Sequence, residues 1–204
     1  MKKTMTLIQK YALCLGVFYL ILYLPACAVK PASELDNPEY HHKAGMRHVE
    51  MRQYEEALTS FQRAVDLDKK FAPAYAGMGI THANLKNKKE AKKYAAKAEG
   101  LASKDADVLA LCARVWIDLR GQEKKWYKGA EKLLKKALKR KKNHEGATYY
   151  TGEVYLYQYK FSEAENQFRM VVEMKGDYSG RADKMWQTSQ KIVRAMPGTS
   201  MGKK

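Results

Sequence analysis

The chain has 204 residues and a formal net charge of +16, from 38 Lys and Arg against 22 Asp and Glu. Most of the excess is local: residues 86–142 hold 19 Lys and Arg against 7 Asp and Glu, which brings anionic partners into consideration. Its three cysteines, Cys14, Cys27 and Cys112, are too few and too scattered for a disulfide framework.

The chain opens with Lys2, Lys3 and Lys10, continues through the apolar run Tyr11 to Leu24, and reaches Leu24-Pro25-Ala26-Cys27. A basic start, 14 apolar residues and a small residue before the cut describe an export signal over 1–26. The alternative is an uncleaved anchor, for which 14 residues are short against the roughly 20 of a bilayer span. The last four residues resemble a bacterial lipobox, with Pro25 an uncommon choice in it. The resemblance implies that Cys27 is lipidated on its sulfur, palmitate being the expected acyl group, and becomes an acylated amino terminus. Several acyl chains hold a soluble domain to a membrane where one does not. Removal of 1–26 takes three lysines and no acids, leaving +13. Residues 28–37 are expected to be a polar tether reaching roughly 15–20 Å as a coil. Ala28 follows Cys27, where Asp would resemble an inner-membrane retention signal. The expected location is therefore the bacterial cell envelope, lipid-anchored in the outer membrane and facing the periplasm.

From residue 38 onward the sequence repeats every 34 residues. Numbered from 1 in each repeat, the units are 38–71, 72–105, 106–144 with an insertion of five, and 145–178. Position 8 carries Gly45, Gly79, Ala113 and Gly152, and position 20 carries Ala57, Ala91, Ala130 and Ala164. Position 24 carries Phe61, Ala95, Leu134 and Phe168, and position 27 carries Ala64, Ala98, Ala137 and Val171. Helical apolar spacing over 74–85, 108–119 and 147–157, with small side chains where two helices must cross, predicts antiparallel helix pairs. Asn37-Pro38 and Ala72-Pro73 mark helix starts. Gly121 marks a break, and the five extra residues after it are expected to lengthen a helix by a turn rather than to form a binding loop. Residues 179–195 are expected to be a capping helix, because Trp186 falls where the other repeats have a small residue. Pro197-Gly198 ends it, and a polar tail runs to Lys204.

This pattern resembles the tetratricopeptide repeat family. Departures are His41, Tyr75, Leu109 and Thr148 in the usual Trp slot, and Lys69, Ser103, Lys142 and Gly176 in place of the closing Pro. The resemblance implies an all-α, right-handed solenoid of four helix-turn-helix repeats plus the capping helix. It also implies that positions 2, 5, 9, 12 and 13 line a concave groove. These include His42, Met46 and Val49; Ala76, Ile80, Ala83 and Asn84; Ala110, Arg114, Ile117 and Asp118; and Tyr149, Glu153, Leu156 and Tyr157. An amphipathic helix or extended peptide suits such a floor. The basic clamp with which some relatives hold a peptide carboxylate is not reproduced, since His42, Ala76, Met46 and Ile80 occupy its positions.

The second helices, which form the convex side in that family, carry Lys89, Lys92, Lys93 and Lys97, then Lys132, Lys135, Lys136 and Lys139. A basic stripe is compatible with nucleic acid, but an exported domain meets none and no recognition motif is present. Anionic lipid, wall or surface polymer, or an acidic protein remain as partners, beside a solvated face that serves solubility. No cofactor or metal is expected: His41, His48 and His82 stand in packing slots, and His42 and His144 converge on no carboxylate or cysteine at zinc spacing. No nucleophile elbow, phosphate loop or paired carboxylates stand out, so no enzyme activity is expected. Cys112 is expected to be a buried structural thiol. Lipoproteins of this layout resemble pilotins, outer-membrane assembly accessories and helpers of cell-wall synthesis. The expectation is a scaffold for a protein or peptide partner; the alternative is a structural lipoprotein that binds anionic wall or surface polymer through its basic face.

Overall fold

The computed structural model describes residues 36–195, and they form nine α-helices: α1 Pro38–Glu50, α2 Tyr54–Leu67, α3 Ala72–Asn84, α4 Lys88–Leu101, α5 Ala106–Asp118, α6 Trp126–Arg140, α7 Glu145–Tyr157, α8 Phe161–Met174 and α9 Ser179–Ala195. The signal over 1–26, the lipidation at Cys27 and nearly all of the tether lie outside the described residues. The described residues belong to one compact unit. No helix among the described residues is long and apolar enough to cross a membrane.

Side chains start the first helix of three repeats. Asn37 accepts from the Tyr40 amide at 2.8 Å with Pro38 beginning the helix, Asp105 accepts from the Asp107 and Val108 amides, and His144 Nδ1 accepts from the Ala147 amide at 3.0 Å. Each cap satisfies amides that the helix itself leaves open. In three repeats the turn between paired helices passes through a left-handed residue without being glycine, Arg52, Lys86 and Tyr159, with φ of 60°, 63° and 63°.

The small-residue slots are where the paired helices touch. Ala57, Ala91, Ala130 and Ala164 are fully buried, as are Ala64, Ala98, Ala137 and Val171. Phe61 and Phe168, also fully buried, fill the space left by Gly45 and Gly152. Burying each ring contributes about 1.5–3 kcal/mol. Gly79 admits the backbone of α4, with Ala91 O 3.2 Å from where a Cβ would stand.

The insertion departs from expectation. The connectors in repeats one, two and four, residues 51–53, 85–87 and 158–160, span three residues, whereas 119–125 spans seven. The helix α6 gains a single residue over α2, α4 and α8. The reason lies in the extra segment's contacts: Glu123 receives Lys88 at 3.0 Å and Lys92 at 2.5 Å, and Gln122 Nε2 donates to Ala83 O at 3.1 Å. The connector is thus tied to repeat two rather than coiled into α6.

The first helices of successive repeats pack on one another, α1 on α3, α3 on α5 and α5 on α7, whereas second helices scarcely meet. First helices therefore line the inner face and second helices the outer. The last helix, α9, lies along α8 with Ala182 and Ser189 buried and Met185 and Trp186 against the core. It covers the apolar side of the last repeat, as a solenoid end requires.

Candidate functional site

The inner face is built from α1, α3, α5 and α7, each presenting residues one helical turn apart. In repeat one, His42 lies between the rings of Phe61 and Phe71, with centroids at 5.8 and 5.9 Å, and Met46 packs half-buried against the core. Burial pushes the His42 imidazole down to about 4, with Lys43 adding to the effect, so the ring is neutral at physiological pH.

Repeats two to four contribute a polar cluster. Asn84 donates to Ile80 O at 2.9 Å and to Asp118 Oδ2 at 3.2 Å. Arg114 Nε stands 3.7 Å from the same Asp118 oxygen. On α7, Glu153 accepts from the Tyr149 hydroxyl at 3.4 Å. Burial raises the Glu153 carboxyl to about 7 against the pull of Arg114, and burial also raises Asp118 despite Arg114 and Asn84. Burial disfavours the Arg114 charge as well, but Tyr150, Asp118 and Glu153 outweigh it. The cluster is held by spacing: Arg114 and Asp118 are one turn apart on α5, and Asn84 and Asp118 are one repeat apart.

Several of the expected groove residues are corrected. Ile80 is fully buried and Tyr149 is 6% exposed, so neither side chain is presented on the inner face. Ile80 belongs to the hydrophobic core. Tyr149 is covered by Tyr178, whose ring centroid stands 5.2 Å away, and also packs on Tyr150 and Phe168. Val49, Ala76, Ala83, Ala110 and Ile117 are likewise buried, taken up by packing between helices. His42, Met46, Asn84, Arg114, Asp118, Glu153 and Tyr157 keep some exposure. Three contacts lie outside the sequence expectation. Arg120 lies 4.2 Å over the Tyr157 ring, Tyr178 closes the aromatic end, and Arg181 on α9 reaches Glu50 on α1 at 2.5 Å. Arg120 was legible as a residue just beyond a groove helix; Tyr178 and Arg181 belong to the stretch where the period fails, and no sequence signal marks them.

The outer face is less uniformly cationic than its lysines imply. Lys92 is engaged by Glu123 and the Trp116 ring, Lys93 by Glu90 at 3.3 Å, and Lys136 by Glu99 at 2.6 Å. Lys97 lies 4.0 Å over the Tyr75 ring. Lys89, Lys132 and Lys135 are exposed and make no ion pair among the described residues.

Of the other histidines, His144 is buried as the cap of α7 and meets Asp107 at 2.9 Å, while His82 stacks on Tyr94. No group of three His, Cys, Asp or Glu among the described residues is placed to hold a metal ion. Cys112 is fully buried, and burial pushes its thiol up to about 12.

A tetratricopeptide repeat model matches residues 48–115. No curated protein matches the chain. Among solved structures, the chain is similar to a thermophilic TPR protein of Thermus thermophilus, at 15% identity and a TM-score of 0.64, covering 76% of this chain and 82% of that one. It also resembles MamA of AMB-1 (15%, TM-score 0.49, 76% and 88% covered) and YrrB, a TPR protein with an unusual peptide-binding site (22%, TM-score 0.45, 76% and 77% covered). The Thermus likeness shows a shared fold.

Proposed function

We propose, from the premise that the chain belongs to the tetratricopeptide repeat family, that it is a non-catalytic scaffold holding a protein or peptide partner on the inner face of its repeats. The observation that carries this is the Asn84–Asp118–Arg114–Glu153 cluster, set on three consecutive first helices with Arg114, Asp118 and Glu153 half-buried and Asn84 exposed. Its donors and acceptors are held in place before a partner arrives, which reduces the ordering cost of binding. Arg120 stacked on Tyr157 adds an aromatic and a cationic anchor at its edge, the residue types in which interface energy concentrates. An amphipathic helix or extended peptide with both polar and apolar side chains matches this surface.

The same proposal places the scaffold on a lipid anchor at Cys27, in the outer membrane facing the periplasm, as an assembly or biogenesis factor of the pilotin or envelope-accessory kind. The lipobox-like Leu24-Pro25-Ala26-Cys27 and the Ala after it support this. Crosslinking in cells, followed by purification from detergent-solubilised membranes, tests the inner face. Arg114→Ala with Tyr157→Ala is expected to lose the partner that the native chain captures while helical content is kept; undiminished capture by this variant overturns the assignment. Mass spectrometry of the amino terminus tests the anchor: an acylated Cys27 is expected, and an unmodified Cys27 still joined to residues 1–26 overturns it.

A further inference from the structure

The third repeat breaks its own pattern at the end of its second helix. Position 30 carries Leu67, Leu101 and Met174 in repeats one, two and four, but Arg140 in repeat three. Position 29 carries Asp66, Gly100 and Glu173 elsewhere, but Lys139 in repeat three. Since the other repeats fold without these cations, the fold does not require them.

The two substituted residues line one cavity. Lys139 and Arg140 share it with Lys136 and Ser103, in a hollow of about 380 Å³ between the end of α4 and the last turns of α6. No carboxylate lines it, and Glu99 meets only Lys136 at its edge. Cations in a last helical turn complement the helix dipole. That accounts for a basic residue on α6, but not for three converging on a hollow with the Ser103 hydroxyl. Outside it, Lys128, Lys132 and Lys135 continue the exposed charge along α6. Leu101, 41% exposed, stands two residues before Ser103. Cations flanked by an exposed apolar side chain suit a bilayer interface, where both find partners, better than a fully hydrated polyanion.

We propose that the outer face of α4 and α6 docks on anionic phospholipid headgroups, with one phosphate seated between Ser103, Lys136, Lys139 and Arg140. The inference rests on the anchored reading above for its setting: only ten residues separate Cys27 from Pro38, so an anchored chain meets headgroups at high effective concentration. The outer face then lies toward the membrane and the inner face stays open to its partner.

The test uses the full chain carrying Cys27→Ser, so that binding is read without acylation and its failure is separate from failure of the anchor. Co-sedimentation with phosphatidylcholine vesicles gives the background, including that of the apolar residues 11–24. Vesicles with about a third phosphatidylglycerol are expected to bind at least about tenfold tighter at low salt. Lys136→Glu, Lys139→Glu and Arg140→Glu together are expected to abolish that gain, whereas Lys184→Glu, Lys191→Glu and Arg194→Glu on α9 keep most of it. Arg140→Leu, which restores the residue type of the other repeats and so spares the fold, is expected to remove several-fold on its own. Leu101→Ala is expected to weaken vesicle binding but not binding of soluble polyphosphate. Equal losses from the two triple variants, no gain with phosphatidylglycerol, or polyphosphate binding without vesicle binding each overturn the proposal.

Discussion

Phe61 lies so close to Gly45 that a Cβ there would come within 2.6 Å of its Cε1. The same ring faces Gly77 in the next repeat, so one aromatic residue packs where two repeats have given up a side chain. Gly45→Ala is therefore expected to destabilise the repeats by about 1–3 kcal/mol, since the ring is held on both sides and cannot retreat. Gly100, near the end of α4, has open space around its Cα, and Gly100→Ala is expected to stabilise by roughly 0.5–1 kcal/mol. Denaturant midpoints of the two variants should move in opposite directions.

Lys86 and Tyr159 hold left-handed backbone conformations that cost a residue with a Cβ about 1–2 kcal/mol. Tyr159 is 81% exposed, so its side chain offers little in return. Lys86→Gly and Tyr159→Gly are each expected to raise stability by about 0.5–1 kcal/mol once glycine's larger unfolded-state entropy is subtracted. A thermal melt checks this, and unchanged or lower midpoints would show that the strain is relieved elsewhere.

The sequence shows these turns only in part. The 34-residue period locates every helix pair, because packing requires Gly or Ala at the crossing points and the small residues recur visibly. That Asn84, Arg114, Asp118, Glu153 and Tyr157 lie on first helices follows from their repeat positions, and the family resemblance, not the period itself, implies that those positions face the groove. Contacts between elements far apart in the chain are not periodic. Tyr178 over Tyr149, Arg181 on Glu50, and Glu123 between Lys88 and Lys92 depend on where the curve of the repeats brings side chains together. Ile80 illustrates the same limit: its position is that of a groove residue, yet it is completely buried in the core.

Cys112 has its Sγ 3.5 Å from Ala95 O and no exposure to solvent. Because only the thiolate reacts and burial holds the thiol up at about 12, native protein is expected to leave Cys112 unmodified by thiol reagents at pH 8. Labelling should follow unfolding, rising across the denaturant transition. Rapid labelling of the folded chain at this residue would mean that α4 and α5 open locally.

Two buried groups on the inner face give opposing pH dependences. Glu153, raised by burial to about 7, keeps its proton in the folded chain where the unfolded chain has lost it, so its contribution to stability falls as pH rises from about 4.5 to 7. The Asp118 shift has the same sign. His42, lowered by burial to about 4, stays neutral where the unfolded imidazole is charged, so its contribution is lost as pH falls from about 6.5 to 4. The Glu153 and His42 effects each amount to as much as about 2–3 kcal/mol. Over the shared window the Glu153 and His42 contributions oppose each other, so each masks part of the other in the native chain. Glu153→Gln should stabilise at pH 7 and unmask a fall in stability on acidification, whereas His42→Phe should stabilise at pH 4.5 and unmask a fall as pH rises. Urea midpoints at those two pH values decide it: slopes of the same sign in both variants would mean that the two groups do not titrate as their burial requires.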